Sequence, residues 1–360
     1  MDKESTPSSP PRRDGSEQLL RPRAWDQYIG QKTVKKALEI LMGAASRRGK
    51  EPIEHILFYG PAGLGKTTLA HLVAHQMATP IKITSGPVLE RASDIAALLT
   101  NLTPGEILFI DEIHRINKTV EEMLYPAMEH RSLDIIVGKG PSARTIQLDL
   151  PPFTLVGATT RIALLSQPFR TRFAGGIFRL EFYTEKEIEA ILAQSAAQLE
   201  VGADSQALAM IAERSRLTPR LANQLLKRCR DVAHVADQNM ITPDIVEKTF
   251  DLLGIDKAGL ETEDRRFLSV LIDKFNGGPV GLSTLAAATA EDPDTIQEVY
   301  EPYLLRLGFI ERTPRGRIAT ERAKEHIKKT YAETFRMELP LGSSSNVVES
   351  LPVDGSMLQP

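Results

Sequence analysis

The sequence predicts an α/β fold with a parallel sheet, followed by two smaller domains that are mainly helical. Short, nearly continuous apolar runs alternate with helical stretches in the first half of the chain, as expected for strands buried on both faces of a sheet. From Thr184 to the glycine-containing joint at 253–255 the pattern is helical only. Near the end, two β-prone runs flank the turn Pro314-Arg315-Gly316, and helices followed by such a hairpin indicate a winged helix.

The chain of 360 residues is too long for one ordinary core and fits three domains between two tails. We expect the large α/β domain at residues 21–183, a helical domain at 184–255 and a winged-helix domain at 256–337. The tails at 1–20 and 338–360 are polar or rich in Ser, Pro and Gly, so we predict that they are disordered.

Periodicity places the elements of the large domain in order. Val34, Leu38 and Leu41 recur at helical spacing, and a second helical stretch follows a glycine-rich segment. The predicted helices cover 32–48 and 66–77, and the predicted strands cover 55–59, 81–84, 107–110, 153–158 and 177–182.

Residues that start helices mark the helical domain. Thr184 and Glu187 have the spacing of a capping box, in which each side chain accepts a hydrogen bond from the other residue's backbone. Ser205, Thr218 and Thr242 are predicted to open three further helices, and Pro follows the last two at a first-turn position.

Composition places the chain among globular proteins and limits its function classes. Apolar residues make up 42% and charged residues 25%, and no apolar run approaches the roughly 20 residues of a membrane helix. The N-terminus lacks the apolar segment of a secretory signal, so we expect a cytoplasmic protein with no membrane partner. One cysteine, Cys229, excludes an internal disulfide framework and a cysteine metal cluster, and fits a packing role.

The strongest motif has the pattern G-x-x-x-x-G-K-T at residues 60–67, called the phosphate loop below. It lies between a buried-strand candidate and a helix, the context that such a loop requires, which disfavours a glycine-rich turn without function. The glycines let backbone N–H groups face an anion. We expect Lys66 to reach the β- and γ-phosphates of ATP, and the Thr67 hydroxyl to hold Mg²⁺.

Two adjacent carboxylates follow the predicted strand at 107–110. Ligands of open α/β sheets bind at the carboxyl ends of strands, so Asp111 and Glu112 should face the phosphate loop. We expect Asp111 to support the metal ion and Glu112 to polarise the attacking water. A strand-end cap is the alternative for such a pair, but the phosphate loop favours the catalytic interpretation.

Three histidines lie near these motifs. His71 and His75 have the i, i+4 spacing of some zinc sites, but Leu72 stands where the glutamate of an H-E-x-x-H motif would be, which disfavours a metal role. His114 follows Glu112 closely, and its role stays open.

Together these motifs resemble those of AAA+ ATPases. The phosphate loop, Leu108-Phe109-Ile110-Asp111-Glu112, Gly157-Ala158-Thr159-Thr160-Arg161 and Thr218-Pro219-Arg220 are similar to the phosphate loop, second acidic motif and two sensors of that family. Further segments between about residues 21 and 330, such as Phe275-Asn276-Gly277-Gly278-Pro279, resemble segments of the RuvB family of bacterial Holliday junction branch-migration motors.

This resemblance implies roles that the residues alone do not provide. Thr160 would be the first sensor and Arg220 the second, while Arg172 would be an arginine finger acting on the ATP of a neighbouring subunit. An arginine supplied in trans stabilises the charge of phosphoryl transfer and makes hydrolysis depend on a ring, which the family forms as a hexamer. An ordinary surface ion pair is the alternative for Arg172, which has Arg170 close by.

The resemblance also implies a nucleotide pocket in which Tyr28 and Ile29 line the adenine. The expected pocket residues are Leu20, Arg21, Tyr28, Ile29, Gly60, Pro61, Ala62, Gly63, Leu64, Gly65, Lys66, Thr67, Thr68, Tyr183, Pro219 and Arg220. Two features depart from the family pattern. Ala62 replaces a frequent Pro, and the segment after Arg172 is one residue longer than is usual.

The winged-helix domain carries the predicted DNA contacts. Residues 306–329 contain eight Lys or Arg against three Asp or Glu, although the net charge of the chain is −3. Arg312, Arg315 and Arg317 flank the predicted turn, so all three can project from the hairpin tip toward phosphates, with salt-sensitive affinity that is independent of base sequence. A solvated run of charges is the alternative, and the resemblance favours DNA.

A second β-prone pair, at 133–138 and 144–148, surrounds a turn with two glycines. Hydrophobic residues on a projecting hairpin usually mark a binding surface. The resemblance implies that this hairpin contacts RuvA, the junction-binding protein, and that the resolvase RuvC is a further partner.

The sequence therefore predicts an ATP-hydrolysing DNA motor for recombination and repair. A protein unfoldase of the AAA+ family is disfavoured because it needs an aromatic pore loop, and residues 79–105 contain no Phe, Tyr or Trp. A clamp loader of the same family is also disfavoured, because clamp loaders generally lack a basic winged helix and often have a zinc-binding cysteine cluster, which a chain with one cysteine cannot form. An ATP-gated scaffold that does not hydrolyse would not need both Lys66 and Glu112.

Overall fold

The computed structural model describes residues 19–49, 51–137 and 144–338. The strands of the large domain are β1 (Ile56–Tyr59), β2 (Ile81–Ser85), β3 (Ile107–Asp111), β4 (Ser132–Val137), β5 (Arg144–Asp149), β6 (Thr154–Thr159) and β7 (Gly176–Arg179). Five of them form a parallel sheet in the order β2-β3-β6-β1-β7, which confirms the predicted α/β class. The last strand is shorter than predicted because β1, beside which it lies at the sheet edge, ends at Tyr59.

Helices cover both faces of this sheet. They are α1 (Lys32–Arg47), α2 (Lys66–Met77), α3 (Ala92–Thr100), α4 (Lys118–His130) and α5 (Gln167–Thr171). Successive residues of a strand point to opposite faces. Accordingly, Phe58 and Phe109 belong to one apolar core, and their neighbours Leu57 and Leu108 belong to the other.

The helical domain begins at the predicted capping box. Its elements are α6 (Glu185–Gln198), β8 (Gly202–Ala203), α7 (Ser205–Arg214), α8 (Pro219–Val235), β9 (Met240–Ile241) and α9 (Pro243–Leu253). Thr184 Oγ1 accepts from the Glu187 N–H at 3.3 Å, and the Glu187 carboxylate accepts from the Thr184 N–H at 2.9 Å. α7 begins at Ser205, as predicted, and its N-cap is Asp204, whose carboxylate accepts from the Gln206 N–H at 2.8 Å.

Cys229 is buried on α8, in the core that the large and helical domains share. Burial raises the pKa of this thiol to about 11. The position agrees with the packing role predicted for it.

The third domain has its own core, which includes Phe267, Leu271 and Leu304. Its elements are α10 (Thr262–Ser269), α11 (Leu282–Thr289), α12 (Pro293–Thr295), α13 (Glu301–Arg306), β10 (Ile310–Thr313), β11 (Gly316–Ala319) and α14 (Glu321–Glu338). A π turn extends α10 to Lys274, and another joins α12 to α13. Helices packed beside the antiparallel β10–β11 hairpin confirm the predicted winged helix.

Several predicted features lie at the limits of the described residues. Most of the two tails and the turn at 138–143 are outside them, whereas Leu20 is described and buried. β4 and β5 pair as an antiparallel hairpin, as predicted. Among the described residues, no helix is long and apolar enough to cross a membrane.

Replacing Thr184 with Ala removes the N-cap of α6. We expect the free energy of unfolding to fall by about 1 kcal/mol, because a backbone N–H at the helix start loses its partner. Urea unfolding of the full chain measures this difference. Ser205→Ala is the matched control and should leave stability nearly unchanged, since Asp204 caps α7. Equal effects of the two substitutions would contradict this account.

Candidate nucleotide-binding site

The phosphate loop connects the end of β1 to the start of α2. Gly60, Gly63 and Gly65 have φ angles of 140°, 80° and 96°, which residues with a side chain rarely adopt. A β carbon on Gly60 would lie 2.6 Å from the carbonyl oxygen of Leu180. The loop therefore needs glycine both for its backbone turn and for its close approach to the chain after β7.

Lys66 is a buried cation of the site, with 7% of its surface exposed. Its ammonium group donates to the carbonyl oxygens of Gly60, at 2.8 Å, and Pro61, at 2.9 Å. Burial lowers the pKa of Lys66, and the charges of Glu112 and Asp111 partly offset this effect. Neutral carbonyls do not balance a buried positive charge, so the loop suits an anionic phosphate.

Thr67 and Asp111 meet beside the loop. The Thr67 hydroxyl donates to Asp111 Oδ2 at 3.4 Å, and Asp111 Oδ1 accepts from the Glu112 N–H at 3.0 Å. A hydroxyl and a carboxylate are oxygen ligands of the kind that Mg²⁺ binds together with phosphates. The donor set thus fits the predicted metal ion.

Glu112 lies where the carboxyl ends of β3 and β6 meet. Its Oε2 accepts from the Thr160 hydroxyl at 3.2 Å and lies 3.2 Å from His114 Nδ1. Burial would raise the pKa of Glu112, but the His114 hydrogen bond, the Lys66 charge and the Thr160 N–H together hold it below its ordinary value. Glu112 is therefore ionised at neutral pH and can accept a proton from water.

A cavity of about 480 Å³ opens beside the loop, a size typical of small-molecule sites. It brings together these predicted residues: Leu20, Arg21, Tyr28, Ile29, Ala62, Gly63, Gly65, Lys66, Thr67, Thr68, Asp111, Glu112, Tyr183, Pro219 and Arg220. Gly60, Pro61 and Leu64 do not line it. Gly60 and Pro61 instead accept from Lys66, and Leu64 is buried in the core.

Some lining residues were not predicted from the sequence. Asn223, Gln224 and Lys227 extend a polar stripe that begins at Arg220 on α8. Their i, i+3, i+4 and i+7 spacing is the signal that could have identified them. Gln194 and Gln198 contribute in the same way from α6.

Arg172 does not line this cavity. Its guanidinium stacks on the Tyr125 ring at 4.1 Å and donates to the Pro168 carbonyl oxygen at 2.6 Å. Its Nη2 lies 3.2 Å from the Glu129 carboxylate. In the single chain, the predicted finger is therefore held against its own domain.

The arginines of the β10–β11 hairpin, called the wing below, differ from the expectation that all three project from its tip. Arg312 and Arg317 are directly opposite each other, and both pair with Glu301, which is 0% exposed. A buried carboxylate needs such partners, so it draws the two guanidinium groups back toward α13. Arg317 differs most from the expected projection, because its side chain is only 16% exposed. Arg315 is exposed in the turn.

Three family models match this chain, between residues 20 and 328. The family descriptions "Holliday junction DNA helicase RuvB P-loop domain", "RuvB AAA lid domain" and "RuvB C-terminal winged helix domain" match residues 20–180, 183–256 and 257–328. The chain belongs to the RuvB family. As a member of this family, it is an AAA+ P-loop ATPase that uses a nucleotide.

Relatives in the RuvB family are similar over most of their length. The Holliday junction branch migration complex subunit RuvB of Dehalococcoides mccartyi is 56% identical over 312 residues, covering 87% of this chain and 89% of the relative. The protein of the same name from Thermomicrobium roseum is 54% identical over 325 residues, covering 90% and 92%. The solved Holliday junction branch migration motor RuvB of Thermotoga maritima has a TM-score of 0.79 and 50% identity, covering 86% of this chain and 98% of that chain.

Replacing His114 with Ala removes the contact that does most to lower the pKa of Glu112. We expect the acid limb of the pH profile of kcat for ATP hydrolysis to move to higher pH, because a carboxylate without this partner protonates more easily. His114→Gln is the control. Its amide N–H can still donate to Glu112, so the acid limb should move less than in the Ala variant. An unchanged acid limb in the Ala variant would show that His114 does not tune Glu112.

Proposed function

We propose that this chain is an ATP-driven motor that moves the branch point of Holliday junctions in recombination and repair. The observation that carries the proposal is one cavity that gathers the phosphate loop, Asp111, Glu112 and Arg220, in a chain that also bears a wing with an exposed arginine. Relatives named as subunits of the Holliday junction branch migration complex support the DNA substrate. Since this DNA lies in the bacterial nucleoid, we place the protein in the cytoplasm.

ATP is the proposed nucleotide, and Lys66 would bind its β- and γ-phosphates. Thr67 and Asp111 would hold Mg²⁺, which when bound neutralises charge on the phosphates. Glu112 accepts a proton from the attacking water, and Thr160 orients that carboxylate through its hydroxyl. Arg220 enters the cavity from α8 and would contact the phosphates from the helical domain, so that nucleotide binding joins the two domains.

We further propose that the chain works as a hexameric ring. Arg172 lies outside its own nucleotide cavity, so it can serve as a finger only for a neighbouring subunit. To do so it must leave Tyr125 and exchange Glu129 for a phosphate, which attracts a guanidinium more strongly because of its greater charge. Assembly then switches on hydrolysis.

DNA is the proposed partner of the wing. Arg315 is placed to contact phosphates directly, while Arg312 is half-exposed and can contribute while paired with Glu301. Arg317 mainly holds the hairpin in position. The β4–β5 hairpin exposes Ile146 and is the proposed contact for RuvA, with RuvC as a further member of the complex.

A synthetic four-way junction tests this function. We expect the purified chain with ATP and Mg²⁺ to convert the junction to duplex products, faster when the junction-binding partner is present. Gel separation of labelled arms measures the conversion. Lys66→Ala is the control that removes the phosphate-binding cation and should abolish it. Intact ATP hydrolysis without conversion, in both the presence and the absence of the partner, would refute the motor proposal.

Mixing two inactive variants tests whether Arg172 acts in trans. Arg172→Ala lacks the finger but keeps the phosphate loop, whereas Lys66→Ala has the reverse defect. Rings assembled from an equal mixture should regain up to about a quarter of wild-type ATP hydrolysis, the share of sites that combine an intact loop with a neighbouring finger. Each variant alone should be nearly inactive. No recovery in rings verified to contain both variants would mean that Arg172 is not a trans finger.

A further inference from the structure

Arg161 directly follows the predicted first sensor, and its side chain reaches the winged-helix domain. Its Nη2 lies 2.9 Å from Asp294 Oδ1, and its Nε contacts Glu298. Both carboxylates lie in the continuous helical segment that runs from α12 toward α13. One guanidinium thus joins the end of β6 to the domain that carries the wing.

The backbone at Arg161 is firmly connected to the catalytic carboxylate. The Arg161 N–H donates to Thr159 Oγ1 at 2.9 Å, and this oxygen lies 2.9 Å from His114 Nδ1. Thr160, which lies between Thr159 and Arg161 in the chain, donates from its hydroxyl to the Glu112 carboxylate. Arg161 is the next residue in the chain and its N–H is held by Thr159 Oγ1, so a shift of the Thr160 backbone toward a phosphate acts directly on Arg161.

The other predicted sensor has a similar neighbour. Arg216 precedes Arg220 by four residues, and its Nη2 contacts Asp264 and lies 3.0 Å from Glu261, both in the winged-helix domain. Asp264 is buried, and removing one partner of a buried ion pair is strongly destabilising. The Asp294 side chain is 68% exposed and Glu298 39%, against 23% for Arg161, so these pairs break at a lower cost than the buried pair with Asp264. The Arg216 contact is therefore suited to a fixed pivot, and the Arg161 contact to a joint that can open.

We propose that Arg161 is a positioning residue that couples the nucleotide site to the winged-helix domain. When Thr160 and Glu112 close on a phosphate, Arg161 moves relative to Asp294 and Glu298 and changes the position of the wing. Coupling between binding free energies is reciprocal, so DNA on the wing acts back on nucleotide binding through the same contact, and we expect ATP turnover to change with it. The inference rests on the proposed DNA-motor function and names the residues that connect its two sites.

The experiment measures ATP turnover of the full chain with and without duplex DNA at one salt concentration. We expect Arg161→Gln to reduce the DNA-dependent change in turnover by about 5-fold or more, the lower end of typical coupling effects. Binding of a fluorescent ATP analogue should stay within about twofold of wild type, because Arg161 does not line the cavity. Arg48→Gln, which breaks an exposed pair with Glu51 in the large domain, is the matched control and should respond to DNA as wild type does.

The carboxylate side provides an independent test. Asp294→Asn combined with Glu298→Gln should lower the DNA response as Arg161→Gln does, and joining all three substitutions should add nothing further, because residues that act through one contact are not additive. Arg161→Lys should retain part of the response, since an ammonium keeps the charge but not the two-sided geometry of a guanidinium.

Two results would overturn the inference. One is a full DNA response in Arg161→Gln, and the other is additive loss when both sides of the contact are changed. If the wild-type chain itself showed no DNA response, the proposed motor function would fail, and the coupling role would fail with it. The two failures are distinguished by the wild-type measurement.

Discussion

The hydrogen bond from Thr160 to Glu112 joins the carboxyl ends of two neighbouring strands, and the catalytic arrangement depends on it. Parallel pairing of Ile110 with Gly157 places these strand ends side by side. Glu112 itself has a φ of 45°, a conformation that costs about 1–3 kcal/mol for such a residue and persists only where its surroundings hold it. The contacts with Thr160 and His114 supply that restraint, and they also keep the carboxylate ionised.

The burial of the carboxylate that each arginine pairs with determines whether that arginine can leave its ion pair. Glu301 is fully buried, and an uncompensated buried charge costs about 3–5 kcal/mol, so Arg312 and Arg317 have a structural task before any contact with DNA. Arg172 has the opposite situation, because its partner Glu129 is half-exposed and this ion pair breaks at small cost. The burial of the paired carboxylate therefore separates the arginines that stabilise the fold from the one that can exchange its partner for a phosphate.

Much of the fold followed from the sequence, because local signals agree with it. Buried-strand runs, the glycines of the phosphate loop and the capping box at Thr184 each specify nearby backbone, and the helix Lys66–Met77 was placed without error. The pairs Arg161–Asp294 and Arg317–Glu301 could not be predicted, because they depend on how separate elements pack. The same holds for His114, whose partners Glu112 and Thr159 meet only when β3 lies beside β6.

The most direct test of this account is the Glu112→Gln chain under single-turnover conditions with ATP and Mg²⁺. The amide keeps the shape of the side chain but cannot accept the proton of water. We predict that ATP binds within about threefold of wild type while hydrolysis falls by about 100-fold or more, the contribution of a general base. Hydrolysis at the wild-type rate would contradict the central role assigned to Glu112.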